Sequence, residues 1–402
     1  MIPKEVLREV IEIQNTYQRS KSTGVVREQI SRIAWITGYA RIITGVRRCG
    51  KSTLLLQRMM MQADEALFIN FEDPRLSDFS TADFRLLDNL LTEKGIKSLF
   101  LDEIQTLKEW ERYVRQKLDE GFQVAITGSN ASLLSKELGT KLTGRHQSTE
   151  LFPFSYAEFL HFLQIPNSEE AVQRYLRDGG FPDYVRTGEP GILQQLLDDI
   201  ILRDIAQRYQ VRDVHSLRKL AVYLISNIGK PVSANNLATT LQLPAVSTIL
   251  EYFAYLEDAY IVQFVSRFSY SQQVQLRNPK KVYATDMGLF THNSITFTDE
   301  MGRRLENTVF LHYRRKGKQL NYFKEKKECD FVVSERDKIL EVVQVCYCVN
   351  EDNFQREMDG LKEAMRFFKL DKGVIVTLNQ RETYEEGDTS IELIPVDQLL
   401  LS

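Results

Sequence analysis

The sequence predicts an α/β fold built on a parallel sheet, with a second α/β unit toward its C-terminal end, and three observations carry that prediction. Apolar strand-like runs alternate with helix-like stretches from residue 39 to 152, as helices packed on a parallel sheet require. The first run, Ala40 to Thr44, leads into Gly45-Val46-Arg47-Arg48-Cys49-Gly50-Lys51-Ser52-Thr53, which has the glycine, lysine and serine spacing of a P-loop. A later run, Ser98 to Leu101, ends in the adjacent acids Asp102 and Glu103.

Residues 1–38 read as a helix-like lead-in. In the loop that follows the first strand, Gly45 and Gly50 let the backbone turn its N–H groups inward. Lys51 is placed to reach the β- and γ-phosphates of a nucleoside triphosphate, and the Ser52 hydroxyl to hold Mg²⁺. A helix opening at Ser52 adds its positive dipole end. Residues 45–53 are therefore the expected nucleotide-binding set. Asp102 is expected to hold Mg²⁺ through water, and Glu103 to polarise a water for attack on the γ-phosphate. An adjacent Asp and Glu point to hydrolysis: a nucleotide kinase needs an acceptor site instead of the glutamate. A GTPase usually carries an Asn-Lys-x-Asp guanine reader, which is absent here.

Two further strands are predicted at Glu65 to Phe71 and Phe122 to Thr127. In a parallel sheet the ligand lies at the carboxyl ends of the strands, so Thr127, Ser129 and Asn130 are expected to face the γ-phosphate, with Ser129 as its sensor. Ser129 or Asn130 equally suits the N-cap of a helix beginning at Ala131.

The Gly-Val-Arg-Arg-Cys-Gly-Lys-Ser loop, Leu-Asp-Glu-Ile-Gln at 101–105, Thr-Gly-Ser-Asn at 127–130 and Leu-Thr-Gly-Arg at 142–145 together resemble an AAA-type ATPase family of largely uncharacterised bacterial and archaeal proteins. The resemblance continues through Leu151 to Phe159, Gly179-Gly180-Phe181-Pro182 and Leu202-Arg203-Asp204-Ile205, and so covers nearly the whole chain. It implies ATP as the substrate, Mg²⁺ as the cofactor and a homo-oligomer in which Arg145 reaches a neighbour's nucleotide. The alternative for Arg145 is an arginine in a salt bridge at a helix end.

The 402 residues exceed one ordinary core and suggest two or three domains. With 43% hydrophobic and 27% charged residues, the composition is that of a soluble globular protein. No apolar run reaches the 18 or so residues of a membrane span, and Met1 to Gln14 does not read as a signal peptide. A cytoplasmic protein without membrane contact is expected. Cys49, Cys329, Cys346 and Cys348 form neither a disulfide framework nor a zinc pattern. The net charge of −3 leaves nucleic-acid binding to a local patch.

Residues 1–152 are thus expected to form the ATPase domain and 153–214 a helical lid. Residues 215–300 read as a winged-helix-like module: a helix from Leu217 to Ile228, a turn at Gly229-Lys230-Pro231, a helix after Ser233, a would-be recognition helix from Ala245 to Asp258, and strands at Tyr260 to Phe268 and Lys281 to Thr285. That recognition helix carries Glu251, Glu257 and Asp258 and no lysine or arginine, whereas DNA contacts need cations.

Residues 301–402 read as a separate α/β unit, with a helix from Arg304 to Tyr313, strands at 320–324, 330–333 and 339–348, a helix from Phe354 to Phe368 and a strand at 373–377. The order resembles the restriction-endonuclease-like core that closes members of the same family. Glu306 and Asp330 match its first two metal-binding acids. Gln344 and Cys346 stand where an acid and a lysine are expected, so the site is degenerate and nuclease activity is not expected. Arg314, Arg315, Lys316, Lys318, Lys324, Lys326 and Lys327 make a basic stretch for possible DNA contact. Three purposes remain open: a DNA-linked ATPase, an ATP-dependent assembly switch with a protein partner, and an ATP-regulated nuclease.

Overall fold

The computed structural model describes residues 2–20, 22–62, 65–128, 144–241, 245–295 and 300–402. The chain divides into two compact units, Met1–Leu151 and Phe152–Ser402.

In the first unit, β1 (Ala40–Thr44), β2 (Ala66–Asn70), β3 (Ser98–Asp102), β4 (Gln123–Gly128) and β5 (His146–Glu150) form a parallel sheet in the order β2-β3-β4-β1-β5. β1 and β3 are buried along their whole length, which is why they read as continuous apolar runs without alternation. One face, through Ile42, Leu67, Ile69, Leu99, Leu101 and Ile126, packs on the helices α1 (Lys4–Ser20), α3 (Phe84–Lys94) and α4 (Trp110–Asp119). The helix α2 (Lys51–Met60) packs on β1, β3 and β4. β4 lies between β1 and β3, so the loop after β1 and the acids ending β3 stand one strand apart at the same carboxyl edge. The remaining predicted helix, from Ala131 onward, falls outside the described residues, as do Ser129, Asn130, Leu142 and Thr143.

The second unit contains a three-stranded antiparallel sheet, β6 (Pro231–Val232), β8 (Lys280–Ala284) and β7 (Val262–Val265), and a six-stranded mixed sheet in the order β13-β14-β12-β11-β10-β9. The latter comprises β9 (Gln319–Lys324), β10 (Glu328–Glu335), β11 (Lys338–Val345), β12 (Lys372–Thr377), β13 (Glu382–Glu386) and β14 (Thr389–Pro395). The helix Phe354–Phe368 covers one face. On the other face a single core joins Phe152, Phe159 and Tyr175 to Tyr283, Phe310 and Phe331. The segments expected as lid, winged-helix-like module and tail are therefore parts of one unit. β13 and β14 are absent from the sequence reading because β13, Glu-Thr-Tyr-Glu-Glu, is mostly exposed and has no apolar period.

Two of the family-like blocks have a structural cause. Arg315 is half-buried at the end of the helix Met301–Arg315, where its guanidinium donates to the Tyr175 hydroxyl at 2.9 Å and the Phe154 carbonyl at 3.0 Å. The Phe154 N–H donates to the Gly180 carbonyl at 2.7 Å, and the Gly180 N–H to the buried Asp286 carboxylate at 2.6 Å. Gly179, at φ 68°, has no room for a Cβ beside Asp286. Ser155 and Glu158 form a capping box on the helix Tyr156–Leu163.

A Cβ added to Gly180 would lie 2.3 Å from the Phe154 carbonyl oxygen, with only backbone to give way. Gly180→Ala is expected to destabilise the second unit by about 2 kcal/mol or more. Gly302→Ala, whose Cβ meets open space, should change stability by less than about 1 kcal/mol. Thermal unfolding of the two variants side by side checks this; equal midpoints would contradict it.

Candidate functional site

The loop between β1 and α2 has the conformation its glycines were read for. Gly45 (φ 145°) and Gly50 (φ 103°) adopt backbone angles that disfavour side chains, and a Cβ on Gly45 would lie 2.1 Å from the Leu151 carbonyl oxygen. Gly50 precedes α2 with no side-chain cap on its first turn, so no side chain competes there with an anion. Val46 and Cys49 are buried, Arg47 and Thr53 half-buried, and Arg48 and Ser52 exposed. The Cys49 thiol lies 3.3 Å from the Leu151 carbonyl, and burial pushes its pKa up; it fills space. Arg47 pairs with Glu72 at 3.3 Å.

Lys51 is folded back on the loop, its ammonium donating to the carbonyls of Gly45 at 3.1 Å and Val46 at 3.0 Å. These two carbonyls hold the amine at the centre of the loop. The Ser52 hydroxyl donates to Asp102 Oδ1 at 3.0 Å, and the Thr127 hydroxyl donates to the same oxygen at 2.6 Å. Thr127 in turn accepts the Glu103 N–H at 3.0 Å. Its hydroxyl is thus bound to both acids where the sequence reading expected it to face a γ-phosphate. Burial raises the Asp102 pKa to about 6, the Glu103 charge adds to it, and the bonds from Thr127 and Ser52 oppose it. Glu103 turns out of the strand at φ 52°, and its carboxylate accepts a bond from the Gln105 side chain. A serine hydroxyl beside a buried carboxylate is a hard oxygen donor set that suits Mg²⁺.

Arg27 escapes sequence reading. It is buried, and its guanidinium donates to the Cys49 carbonyl at 2.7 Å. Its N–H donates to Gln57 Oε1 at 3.2 Å, while Gln57 Nε2 bonds the Thr23 and Val25 carbonyls. These bonds fasten the lead-in to the back of the loop and to α2. One arginine in a polar segment carries no pattern that announces this. Gln105 was quoted within a motif, but only the structure pairs it with Glu103.

Arg145 pairs with Asp119 at the end of α4, at 2.8 Å. Its neighbour His146 is in register with Ala40, the first residue of β1. Arg145 therefore sits at the opposite end of the sheet from its own P-loop, about 20 Å away along the strand direction.

In the second unit Glu306 and Asp330 share Lys281, and Asp330 lies beside Gln344. Asp330 Oδ2 accepts the Val345 N–H at 3.1 Å, its N–H donates to Gln344 Oε1 at 3.2 Å, and Gln344 Nε2 donates to Glu357 at 2.7 Å. Cys346 is directed elsewhere, its thiol 3.2 Å from the Cys348 carbonyl. Lys281, on β8, sends its ammonium into this acid group. The basic stretch is divided: Arg314 and Arg315 are half-buried, with Arg314 donating to Gln263 at 2.8 Å, Lys318, Lys324 and Lys327 pair with Glu335, Glu328 and Asp359, and Lys316 and Lys326 are exposed.

Residues 38–160 match the family described as an AAA domain, and residues 169–299 match a domain of unknown function, DUF8612. The uncharacterized protein MJ1544 of Methanocaldococcus jannaschii is 33% identical, over 98% of this chain and 95% of its own. An uncharacterized protein of Haemophilus influenzae is 33% identical, over 82% of this chain and 89% of its own. The chain belongs to the family of these two proteins, and it carries the AAA-type core that its motifs imply. Among solved structures, the RuvB Holliday junction branch migration motor of Thermotoga maritima is 17% identical over 58% of this chain and 84% of that one, at a TM-score of 0.29, a likeness too slight to bear on function. Among the described residues no helix is long and apolar enough to cross a membrane.

With its pKa raised to about 6, Asp102 binds its proton more tightly in the folded than in the unfolded chain. Ionising it therefore costs stability as pH rises toward 6, and at pH 7 the whole cost is present. The nucleotide-free Asp102→Asn protein should be at least as stable as the parent at pH 7, with an advantage that narrows as pH falls from 6 toward 4. Denaturant unfolding at pH 4.5 and 7 reads this, and a variant clearly weaker than the parent at pH 7 would refute it.

Proposed function

We propose that the chain binds ATP on residues 45–53 and hydrolyses it, as an AAA-type ATPase working in an oligomer. The observation that carries this is the joint between Ser52, Asp102 and Thr127, which brings the P-loop and the acids of β3 to one point across the intervening strand. Arriving phosphates draw the Lys51 ammonium from the Gly45 and Val46 carbonyls, and the first-turn N–H groups of α2 bind them. Ser52 turns its hydroxyl from Asp102 toward the metal position, and Asp102 holds that position through water. Mg²⁺, when bound, neutralises charge on the β- and γ-phosphates. Glu103, held by Gln105, accepts the proton of the attacking water. Ser129 remains the candidate γ-phosphate sensor.

Arg145 lies too far from its own P-loop to touch the transferring phosphate, so its catalytic reading requires a second subunit whose nucleotide it meets. Asp119 holds it until then.

For what turnover drives, the paired and half-buried residues of the basic stretch favour an ATP-dependent assembly switch with a protein partner over a DNA-linked motor. Glu257 and Asp258 of the would-be recognition helix also have internal partners, the Phe264 N–H at 3.1 Å and the Tyr209 hydroxyl at 3.2 Å. ATP turnover that rises on adding DNA would restore the DNA-linked reading.

Lys51→Ala should lose nucleotide affinity. Glu103→Gln should bind ATP and hydrolyse it at least about 10²-fold more slowly, and undiminished turnover would place the base elsewhere. Arg145→Ala should bind ATP and lose about 10³-fold or more of its turnover. Mixing Arg145→Ala with Glu103→Gln should restore part of the activity, because some interfaces then pair an intact arginine with an intact glutamate. Activity independent of protein concentration, with no rescue on mixing, would make Arg145 a structural partner of Asp119.

A further inference from the structure

The acid group around Glu306 holds a cation of its own. Lys281 Nζ lies 2.9 Å from Asp330 Oδ1, 3.0 Å from Glu328 Oε1 and 3.2 Å from Glu306 Oε1, and the lysine side chain is only 3% exposed. The Tyr283 hydroxyl donates to the same Glu306 oxygen at 2.7 Å. On the other Glu306 oxygen the turn at Gly229 closes in, where even a Cβ would approach to 2.9 Å. Lys281, Tyr283 and Gly229 come from the three-stranded sheet and its entry turn, the three acids from the helix Met301–Arg315 and strand β10. One module thus supplies the anions and another the plug.

Three carboxylates meet on this ammonium, and among the described residues Glu328 alone has a second one, that of Lys324 at 3.1 Å, so Lys281 meets the negative charge only in part. Burial alone would lower the Lys281 pKa, but Asp330 and Glu306 outweigh it and keep the amine protonated. Burial pushes the Glu306 carboxyl up, against the pull of Lys281. Three hard oxygen donors are also what Mg²⁺, Mn²⁺ and Ca²⁺ select. Among the described residues no such group is close enough to hold a metal as it stands, because each carboxylate is set at ammonium distance. A divalent ion needs these oxygens nearer, at about 2.1–2.4 Å.

We propose that Lys281 is a built-in substitute for a divalent metal: it fills a latent metal site formed by Glu306, Glu328 and Asp330 and thereby closes it. Asp330 sits where the pairing of β10 with β9 is irregular, between Cys329 and Val332, and such an irregularity re-aims a side chain out of the regular ladder. The plug makes the C-terminal module metal-free while it stays joined to the three-stranded sheet, and withdrawal of Lys281 opens the site.

The test is Mn²⁺ binding by the full chain without nucleotide, followed by electron paramagnetic resonance and by the thermal midpoint. The parent should show no Mn²⁺ binding that depends on Asp330. Lys281→Met should gain one Mn²⁺ per chain, bound at least tenfold more tightly than any ion in the parent. Its midpoint should rise with Mn²⁺, as a ligand of the folded state requires, and adding Asp330→Asn should abolish both gains. If Lys281→Met fails to fold without metal, Lys281→Met combined with Glu328→Gln, which removes one anion with the cation, must show the same Asp330-dependent gain. The proposal is overturned if neither variant takes up additional Mn²⁺, if the gain survives Asp330→Asn, or if the parent already binds Mn²⁺ through Asp330.

Discussion

The first unit depends on one buried carboxylate. Asp102 takes the Ser52 hydroxyl from α2 and the Thr127 hydroxyl from β4 on a single oxygen, while the next backbone N–H, that of Glu103, closes the circuit on Thr127. Because β4 separates β1 from β3, no backbone ladder joins the P-loop strand to the strand carrying the acids. Side-chain hydrogen bonds span that gap. Burial makes the ionised form costly, as the raised pKa of Asp102 records, and the cost is useful: a carboxylate poorly compensated by two hydroxyls gains when a divalent ion arrives. Lys51 is in a similar position, held by two loop carbonyls that a phosphate outcompetes by charge.

Legibility in the sequence followed the reach of each interaction. The P-loop, β1, β3 and the acids were readable because each is set by neighbours within ten residues and by a buried strand's unbroken apolar run. Ser98 to Asp102 was read to the residue. Contacts made across the chain left no local mark. Arg27 braces Cys49 from 22 residues away, Lys281 meets Asp330 across 49, and Arg315 reaches Phe154 across 161. For the same reason the basic stretch was read as one surface for DNA contact: seven cations in sequence say nothing of which of them find partners within the fold. Thr127 was read as facing a phosphate because strand ends in parallel sheets face ligands, but the unmet acceptor on neighbouring Asp102 had the nearer claim.

In the second unit, the blocks Leu151 to Phe159 and Gly179 to Pro182 are accounted for by packing and buried hydrogen bonds. Asp286, Gly180, Phe154, Tyr175 and Arg315 make one chain of contacts from the three-stranded sheet's far end to the helix that carries Glu306. The same helix therefore serves two polar clusters, one holding Arg315 and one holding Lys281. Both join parts of the chain that the sequence presents as separate modules, which explains why the segments from 152 to 402 share one core. Glu306 and Asp330 were singled out through the family resemblance alone; the lysine that meets them comes from β8, 25 and 49 residues away, and no pattern within one segment shows it.

The central claim is that residues 45–53 with Asp102 are the ATP site, held in a waiting state by internal partners. A crystal structure with a non-hydrolysable ATP analogue and Mg²⁺ tests it most directly. The account predicts that Lys51 Nζ leaves the carbonyls of Gly45 and Val46 for the β- and γ-phosphate oxygens, and that the Ser52 hydroxyl leaves Asp102 for the metal while Thr127 stays in place. A nucleotide bound elsewhere, or one bound on the loop with Lys51 still on its two carbonyls, would contradict it.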